Sequence, residues 1–204
     1  MKHYTTIFIV FTLVLIGFFL YLYVDRNHQG YLDSQQALME HSTRGAARII
    51  ELYINEVRQR VVLFAEEEGD IISSLSRAPD NEVLRQEFAG RVRRHFPDFF
   101  AYTITDGRGE VMLDDLEGKV ARLCQTDIHH FASGDDQQVF IHPNPLGYHF
   151  DIMAKWQSRN GEHGVFFVSL NPAVLARILE NSQLHDHRLI LLHRDRPGLI
   201  EVAA

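Results

Sequence analysis

Hydrophobic residues concentrate in one uninterrupted stretch near the start of the chain. Residues 7–24 are uncharged and mostly apolar, and Asp25 and Arg26 follow them directly. As a helix, this stretch would be about 27 Å long, close to the roughly 30 Å hydrocarbon core of a bilayer. The pattern predicts a single membrane anchor within residues 1–30.

A cleaved secretory signal is the competing interpretation of the same stretch. Such signals have a shorter apolar core, of about 7 to 15 residues, and small residues at the cleavage site. Tyr21 and Tyr23 stand where the small residues would be needed, and they suit a membrane interface instead. Lys2 and His3 favour an N-terminus inside the cell. We therefore expect an uncleaved anchor in the inner membrane, with the remaining chain in the periplasm or outside the cell.

Residues 31–68 contain no proline and carry the clearest amphipathic pattern beyond the anchor. Apolar residues recur there at steps of three and four, which predicts a long helix with one face docked on a core. These residues are Ile50, Tyr53, Ile54, Val57, Val61 and Phe64. Gly30 and Gly69 are the expected breaks at its two ends. The alternative is a surface helix with no signalling role.

A second helix is predicted over residues 81–95, where Asn81 can cap the start and Pro97 ends the segment. Basic residues, including Arg91, crowd its last turn. They can complement the helix dipole, or one arginine can reach an anionic ligand through paired hydrogen bonds.

From residue 99 the pattern changes to short runs of strand-forming residues separated by turns. The runs cover residues 99–105, 110–114, 138–142, 148–156 and 164–170, with a last hairpin candidate at 188–193 and 199–202. A short helix is predicted at 172–180, after Asn171. This order predicts an α+β domain with one antiparallel sheet of five or six strands and helices segregated around it.

Composition narrows the possible functions. The net charge is −7 and no basic aromatic patch occurs, which argues against nucleic acid as a partner. The sequence motifs of serine hydrolases, phosphate-binding loops and zinc proteases are missing, so we expect no enzymatic activity and no cofactor. The single cysteine, Cys124, excludes an internal disulfide.

Twelve histidines raise the possibility of a metal site or of an acid-responsive domain. The tightest groups are His129 with His130 and His185 with His187. No cysteine or carboxylate completes a recognisable ligand spacing around either group, so we predict no metal site. Surface histidines are the simpler account.

Several segments together resemble the Cache domain, the PAS-like extracytoplasmic module of bacterial receptors. They are the anchor, the long helix, residues 102–113 (YTITDGRGEVML), the strand at 150–156 and residues 164–179 (GVFFVSLNPAVLARIL). The resemblance spans residues 31–202 as a single Cache unit. The segment at 119–133, taken as a loop, lacks the arginine-x-tryptophan-tyrosine pattern of the amino-acid-binding members, which leaves the ligand class open.

The resemblance implies a sensor that binds a small molecule on one sheet face. Occupancy would then pass through the membrane to a kinase, diguanylate cyclase or chemoreceptor-type domain that this chain does not contain. We expect the chain to be the sensing part of a longer receptor and to form a homodimer through the stalk helix. The alternative is an anchored protein-interaction module without a small-molecule ligand.

Candidate ligand-binding residues come from alternation along the strand at 148–156. His149, Asp151, Met153 and Lys155 share one face of this strand. That face can lie in solvent, as in any sheet buried on one side, or line a polar pocket. The family geometry favours the pocket, with Tyr102 and Ser169 as neighbours. The predicted set is therefore Tyr102, His149, Asp151, Lys155 and Ser169.

Overall fold

The computed structural model describes residues 2–114, 122–134, 139, 141–144, 147–193 and 200–203. The chain divides into two compact units, Met1–Gly45 and Ala46–Ala204. Helix α1, Lys2–Glu67, supplies the whole described part of the first unit. We describe each unit by itself.

In the first unit, α1 carries the apolar stretch predicted to cross the membrane. It is the one helix among the described residues that is long and apolar enough to do so, and none of its most apolar window is buried inside the protein. A signal sequence passes the same test of length and composition. Gly30 lies inside this helix, so the predicted break there is wrong. A lone glycine costs about 1 kcal/mol in a helix, which cooperative helix propagation on both sides offsets.

In the second unit, the end of α1 buries the stripe expected from the sequence. Val57, Val61 and Phe64 are buried, and Ile50, Tyr53 and Ile54 are partly buried against the same core. Helix α2, Gly69–Arg77, follows directly and was not predicted. Helix α3, Glu82–His95, is capped by Asn81, whose side chain accepts a hydrogen bond from the backbone N–H of Leu84 at 3.1 Å. The predicted cap and helix are confirmed.

In the part of the chain that the structure describes, five strands form the main antiparallel sheet. They are β1 (Phe99–Thr105), β2 (Val111–Asp114), β3 (Ile141–Asn144), β4 (Gly147–Gln157) and β5 (His163–Leu170). The order across the sheet is β2-β1-β5-β4-β3, with the long strands β4 and β5 paired through the centre.

The last hairpin lies outside the main sheet. Strands β6 (Ile190–Leu192) and β7 (Ile200–Ala203) form a separate two-stranded sheet, so the seven strands of the described residues divide between two sheets rather than extending one. The main sheet is therefore smaller than a six-stranded sheet, the upper end of the prediction, because the hairpin is not part of it. The α+β class with a long N-terminal helix is confirmed.

The second unit has two further helices among its described residues. Helix α4, Arg122–Ser133, occupies most of the segment expected to be a loop. Cys124, Ile128 and Phe131 recur there at steps of four and three, and all three are buried. Helix α5, Ala173–Ser182, confirms the predicted short helix and starts one residue later than expected.

The main sheet is covered on both faces. On the first face, side chains from β1, β4 and β5 pack with α1, α2, α3 and α5 in the larger core. Its centre is an aromatic group in which Phe64 contacts Phe88, Phe96 and Phe166 at ring-centroid distances of 5.4 to 5.8 Å. On the second face, Ile128 and Phe131 of α4 pack on Met153, Val165 and Phe167.

Candidate functional site

A polar group lies buried on the second sheet face, next to the small core under α4. His149 and Asp151 lie two residues apart on β4, so their side chains share a face, and Asp151 pairs with Ser169 of β5. His149 is 0% exposed, Asp151 3% and Ser169 0%. Three of the five predicted ligand-binding residues therefore lie together, and they are buried rather than in solvent.

Direct contacts hold this group in place. The Ser169 hydroxyl donates a hydrogen bond to Asp151 Oδ1 at 2.6 Å. His149 Nε2 lies 3.7 Å from the same carboxylate oxygen. The imidazole ring stacks on Phe100, with ring centroids 5.6 Å apart and the planes inclined by 7°. A bulge between Phe99 and Ala101 changes the register of β1 at Phe100. Strand packing thus fixes the orientation of both titratable side chains.

Cys124 of α4 completes the group. The ligand atoms of Cys124, His149 and Asp151 all lie within 4.8 Å of one another, and the three side chains are buried. Sequence reasoning missed this partnership because Cys124 and His149 are 25 positions apart along the chain. One sequence signal could have predicted it. Cys124, Ile128 and Phe131 follow helical spacing, which places Cys124 on the apolar face of a helix.

Lys155 lies at the other end of the same strand face. It is exposed and lines a cleft of about 790 Å³. The cleft is also lined by Glu66, Gly107, Ala132, Trp156, Gln157, Ser158, Arg159, His163, Gly164 and Val165. Its lining does not include His149, Asp151 or Ser169. Four residues of extended strand, about 13 Å, separate Lys155 from Asp151, so the cleft and the buried group are different features.

Tyr102 lies on the first sheet face, opposite to the predicted position. Its ring packs edge-on against Phe88 with centroids 5.1 Å apart, and it is buried in the larger core. Alternation along β1 explains this, because Ala101 and not Tyr102 pairs with Ser169. The structure therefore separates Tyr102 from His149 and Asp151.

The basic end of α3 has protein partners. Arg91 Nη1 lies 3.0 Å from both carboxylate oxygens of Glu68, and Arg91 Nη2 lies 2.7 Å from Glu87. The hydrogen bonds to Glu87 and Glu68 raise the pKa of Arg91. Its guanidinium thus holds α3 to the junction of α1 and α2, which favours the structural interpretation over an anion site at this residue.

The histidine groups noted in the sequence have ordinary surroundings. The ring Nδ1 of His129 lies 2.9 Å from the carbonyl oxygen of Arg108, and His130 and His185 are exposed. None of these residues belongs to the metal-capable group found among the described residues.

Known proteins resemble this chain in structure and not in sequence. No family model matches it, and no curated protein matches its sequence. Two crystal structures of the periplasmic domain of LuxQ from Vibrio cholerae match the fold, with TM-scores of 0.55 and 0.56 at 12% and 16% sequence identity. Each alignment covers 80% of this chain and 77% of the LuxQ chain. This likeness establishes a shared PAS-like α+β fold.

Proposed function

We propose that this chain is the extracytoplasmic sensor domain of a bacterial receptor anchored in the inner membrane. The fold shared with the LuxQ periplasmic domain supports a sensory domain outside the cytoplasm. The apolar stretch of α1 supports a membrane anchor. We further propose that the domain is a single Cache unit, as the sequence resemblance implies.

The buried polar group on the second sheet face is the observation that carries the sensory proposal. Burying an imidazole and a carboxylate removes both from water, and that desolvation costs several kcal/mol even when the two groups interact. Apolar side chains would fill the same face at less cost, as Met153, Val165 and Phe167 do beside it. We therefore interpret His149, Asp151 and Ser169 as a recognition site for a polar ligand.

The position of β4 between the two cores provides a route by which ligand binding at the buried polar group can affect α1. The strand carries His149 and Asp151 on one face, while Phe150 and Ile152 pack in the larger core with the end of α1 on the other. A ligand that changes the pairing or twist of β4 would alter the packing of α1. Because α1 is continuous from Lys2 to Glu67, we propose that it relays occupancy toward a cytoplasmic output domain of the kinase, diguanylate cyclase or chemoreceptor type.

A protein-interaction module is the second candidate, and exposed apolar residues favour it. Ile49, Leu52 and Leu63 of α1 are large, apolar and roughly half exposed or more. Contiguous exposed apolar patches, as distinct from scattered single residues, mark contact surfaces. We propose that they form the homodimer contact of the stalk helix, which is compatible with the sensor role.

Ligand-induced thermal stabilisation of the full chain in detergent tests the sensor proposal. A ligand present at 100 times its Kd stabilises the native state by about 2.7 kcal/mol, which raises Tm by roughly 5–10 °C for a protein of this size. We expect a polar small molecule from a metabolite library to give this shift.

Variants then locate the site. Asp151→Asn, which keeps the shape of the side chain, should abolish the shift, and Ser169→Ala should reduce it. His130→Gln, on the exposed side of α4, should leave it intact. Lys155→Ala separates the buried group from the cleft, because only a ligand in the cleft would depend on that ammonium. The proposal fails if no compound stabilises the chain, or if the shift survives in Asp151→Asn.

A further inference from the structure

We infer that Cys124, His149 and Asp151 form a zinc-binding site on the second sheet face. The inference deepens the proposed function, because it names a metal ion as the occupant of that recognition site, and its sensory meaning rests on that proposal. The carrying observation is that three different metal-ligating side chains, from α4 and β4, converge within 4.8 Å in a buried position.

The donor set selects among metal ions. A thiolate, an imidazole and a carboxylate are the three ligand types that zinc takes in proteins, whereas magnesium and calcium prefer oxygen ligands throughout. Around a tetrahedral zinc ion with bonds of about 2.0 to 2.3 Å, neighbouring ligand atoms lie roughly 3.3 to 3.8 Å apart. The 3.7 Å between His149 Nε2 and Asp151 Oδ1 already falls in this range. A contraction of no more than about 1.5 Å brings every pair into range.

The surroundings orient two of the three ligands. Ser169 donates to Asp151 Oδ1, which fixes the carboxylate, and Phe100 stacks on the imidazole. His149 and Asp151 stand on β4, which pairs with β5 and β3, and Cys124 stands on a helix packed against the same sheet through Ile128. Three protein ligands leave a fourth coordination position open, which is the arrangement of zinc sites that bind an exogenous molecule.

Proton chemistry gives the site a recognisable signature. A zinc-bound thiol loses its proton, so zinc binding releases a proton from Cys124 and the apparent zinc affinity rises with pH. Cobalt can replace zinc in such sites, and a cobalt–thiolate bond produces a charge-transfer absorption that oxygen and nitrogen ligands do not. Cys124 is the only cysteine in the chain, so this band would report on one atom.

The test uses the full chain in detergent, stripped of metal with a chelator and kept reduced. Titration with Co²⁺ should produce the thiolate band at one ion per chain, and Zn²⁺ should abolish it by displacement. Cys124→Ser should lack the band. His149→Gln and Asp151→Asn should weaken zinc binding by more than about 100-fold, and Ser169→Ala by about 10- to 100-fold. His130→Gln should bind cobalt and zinc as the wild type does.

Two outcomes overturn the inference, and the first of them needs no variant at all. The first is a wild-type chain that gives no thiolate band. The second is a zinc affinity that does not change between the wild type and a folded Cys124→Ser variant, with folding checked by circular dichroism.

The failure of this inference is distinguishable from failure of the sensor proposal. The metabolite screen is repeated with chelator present. An organic ligand that stabilises the metal-free chain through Asp151 supports the sensor proposal, and the absence of a cobalt band then removes only the zinc site. A cobalt band without any stabilising organic ligand supports the zinc site on its own.

Discussion

At the scale of single residues, Gly164 shows how closely β5 packs against its neighbour. A Cβ atom at this position would lie 1.9 Å from the carbonyl oxygen of Thr105, a backbone atom that cannot rotate away. The same carbonyl accepts a hydrogen bond from Trp156 Nε1 at 3.1 Å, and Gly164 pairs with Trp156 in the sheet. Glycine at this point therefore permits both the strand pairing and the buried indole contact.

We predict that Gly164→Ala destabilises the protein by about 2–3 kcal/mol, because the added methyl group forces β1 and β5 apart. Urea unfolding of the full chain in detergent measures the change. Gly90→Ala is the matched control: the nearest atom to its Cβ is the end of the Arg94 side chain at 3.7 Å, and alanine is the better helix former there. The control should be neutral or stabilising by up to about 1 kcal/mol. Equal effects of the two substitutions would contradict the steric argument.

At the scale of secondary-structure elements, Tyr53 connects α1 to the turn that precedes the sheet. Its hydroxyl donates a hydrogen bond to Asp98 Oδ2 at 3.2 Å, while Arg177 of α5 lies 3.6 Å from the other oxygen of that carboxylate. Burial, followed by the negative charge of Asp98 and the hydrogen bond to it, raises the pKa of Tyr53 well above its ordinary value. This residue lies outside the apolar stretch at residues 7–24.

The raised pKa has a definite consequence for stability. The native state holds the phenol proton more tightly than the unfolded state does. The contribution of Tyr53 to the free energy of unfolding is therefore complete below pH 10 and is lost as the pH rises above that value. We predict that Tyr53→Phe costs about 0.5–1.5 kcal/mol at pH 7, for loss of the hydrogen bond. The difference from the wild type should shrink above pH 10.

Urea unfolding at neutral and alkaline pH measures both effects. The control is Tyr148→Phe, since Tyr148 is 67% exposed and its replacement should not reproduce the loss at pH 7. A Tyr53→Phe deficit that stays constant across the alkaline range would show that Asp98 does not favour the protonated phenol.

At the scale of the whole molecule, exposed apolar residues on α1 are the basis for the proposed homodimer. Ile49, Leu52 and Leu63 stay exposed although another stripe of the same helix packs in the larger core. We predict that Leu52→Arg converts a dimer of the full chain into a monomer, because a charge would be desolvated in the contact.

Light scattering coupled to size exclusion, in detergent and at fixed protein concentration, reports the assembly state. Val83→Arg provides the comparison, because Val83 is also apolar and is more exposed, on α3. It should leave the dimer unchanged. A wild-type chain that is already monomeric, or a dimer that tolerates Leu52→Arg, would exclude the proposed contact.

Local patterns account for the parts of the fold that the sequence predicted. The stripe of α1, the Asn81 cap and the hairpin at Asp106 depend on residues only a few positions apart. Asp106 Oδ1, for example, accepts hydrogen bonds from the backbone N–H groups of Arg108 and Glu110 at 2.8 and 2.9 Å. Such contacts can be predicted from residues that are close together in the sequence. Helix α4 also has a local signal, the helical spacing of its buried residues, but its segment was interpreted as a loop.

The sequence by itself determined the apolar stretch, the helix periods, the strand alternation and thus the shared face of His149 and Asp151. These features follow from backbone geometry and from spacing along one element. Only the tertiary structure decided which sheet face was polar and buried, turned Tyr102 away from it and brought Cys124 to it. Those outcomes depend on strand register and on a helix packed across the sheet, and no spacing within a single element encodes either of them.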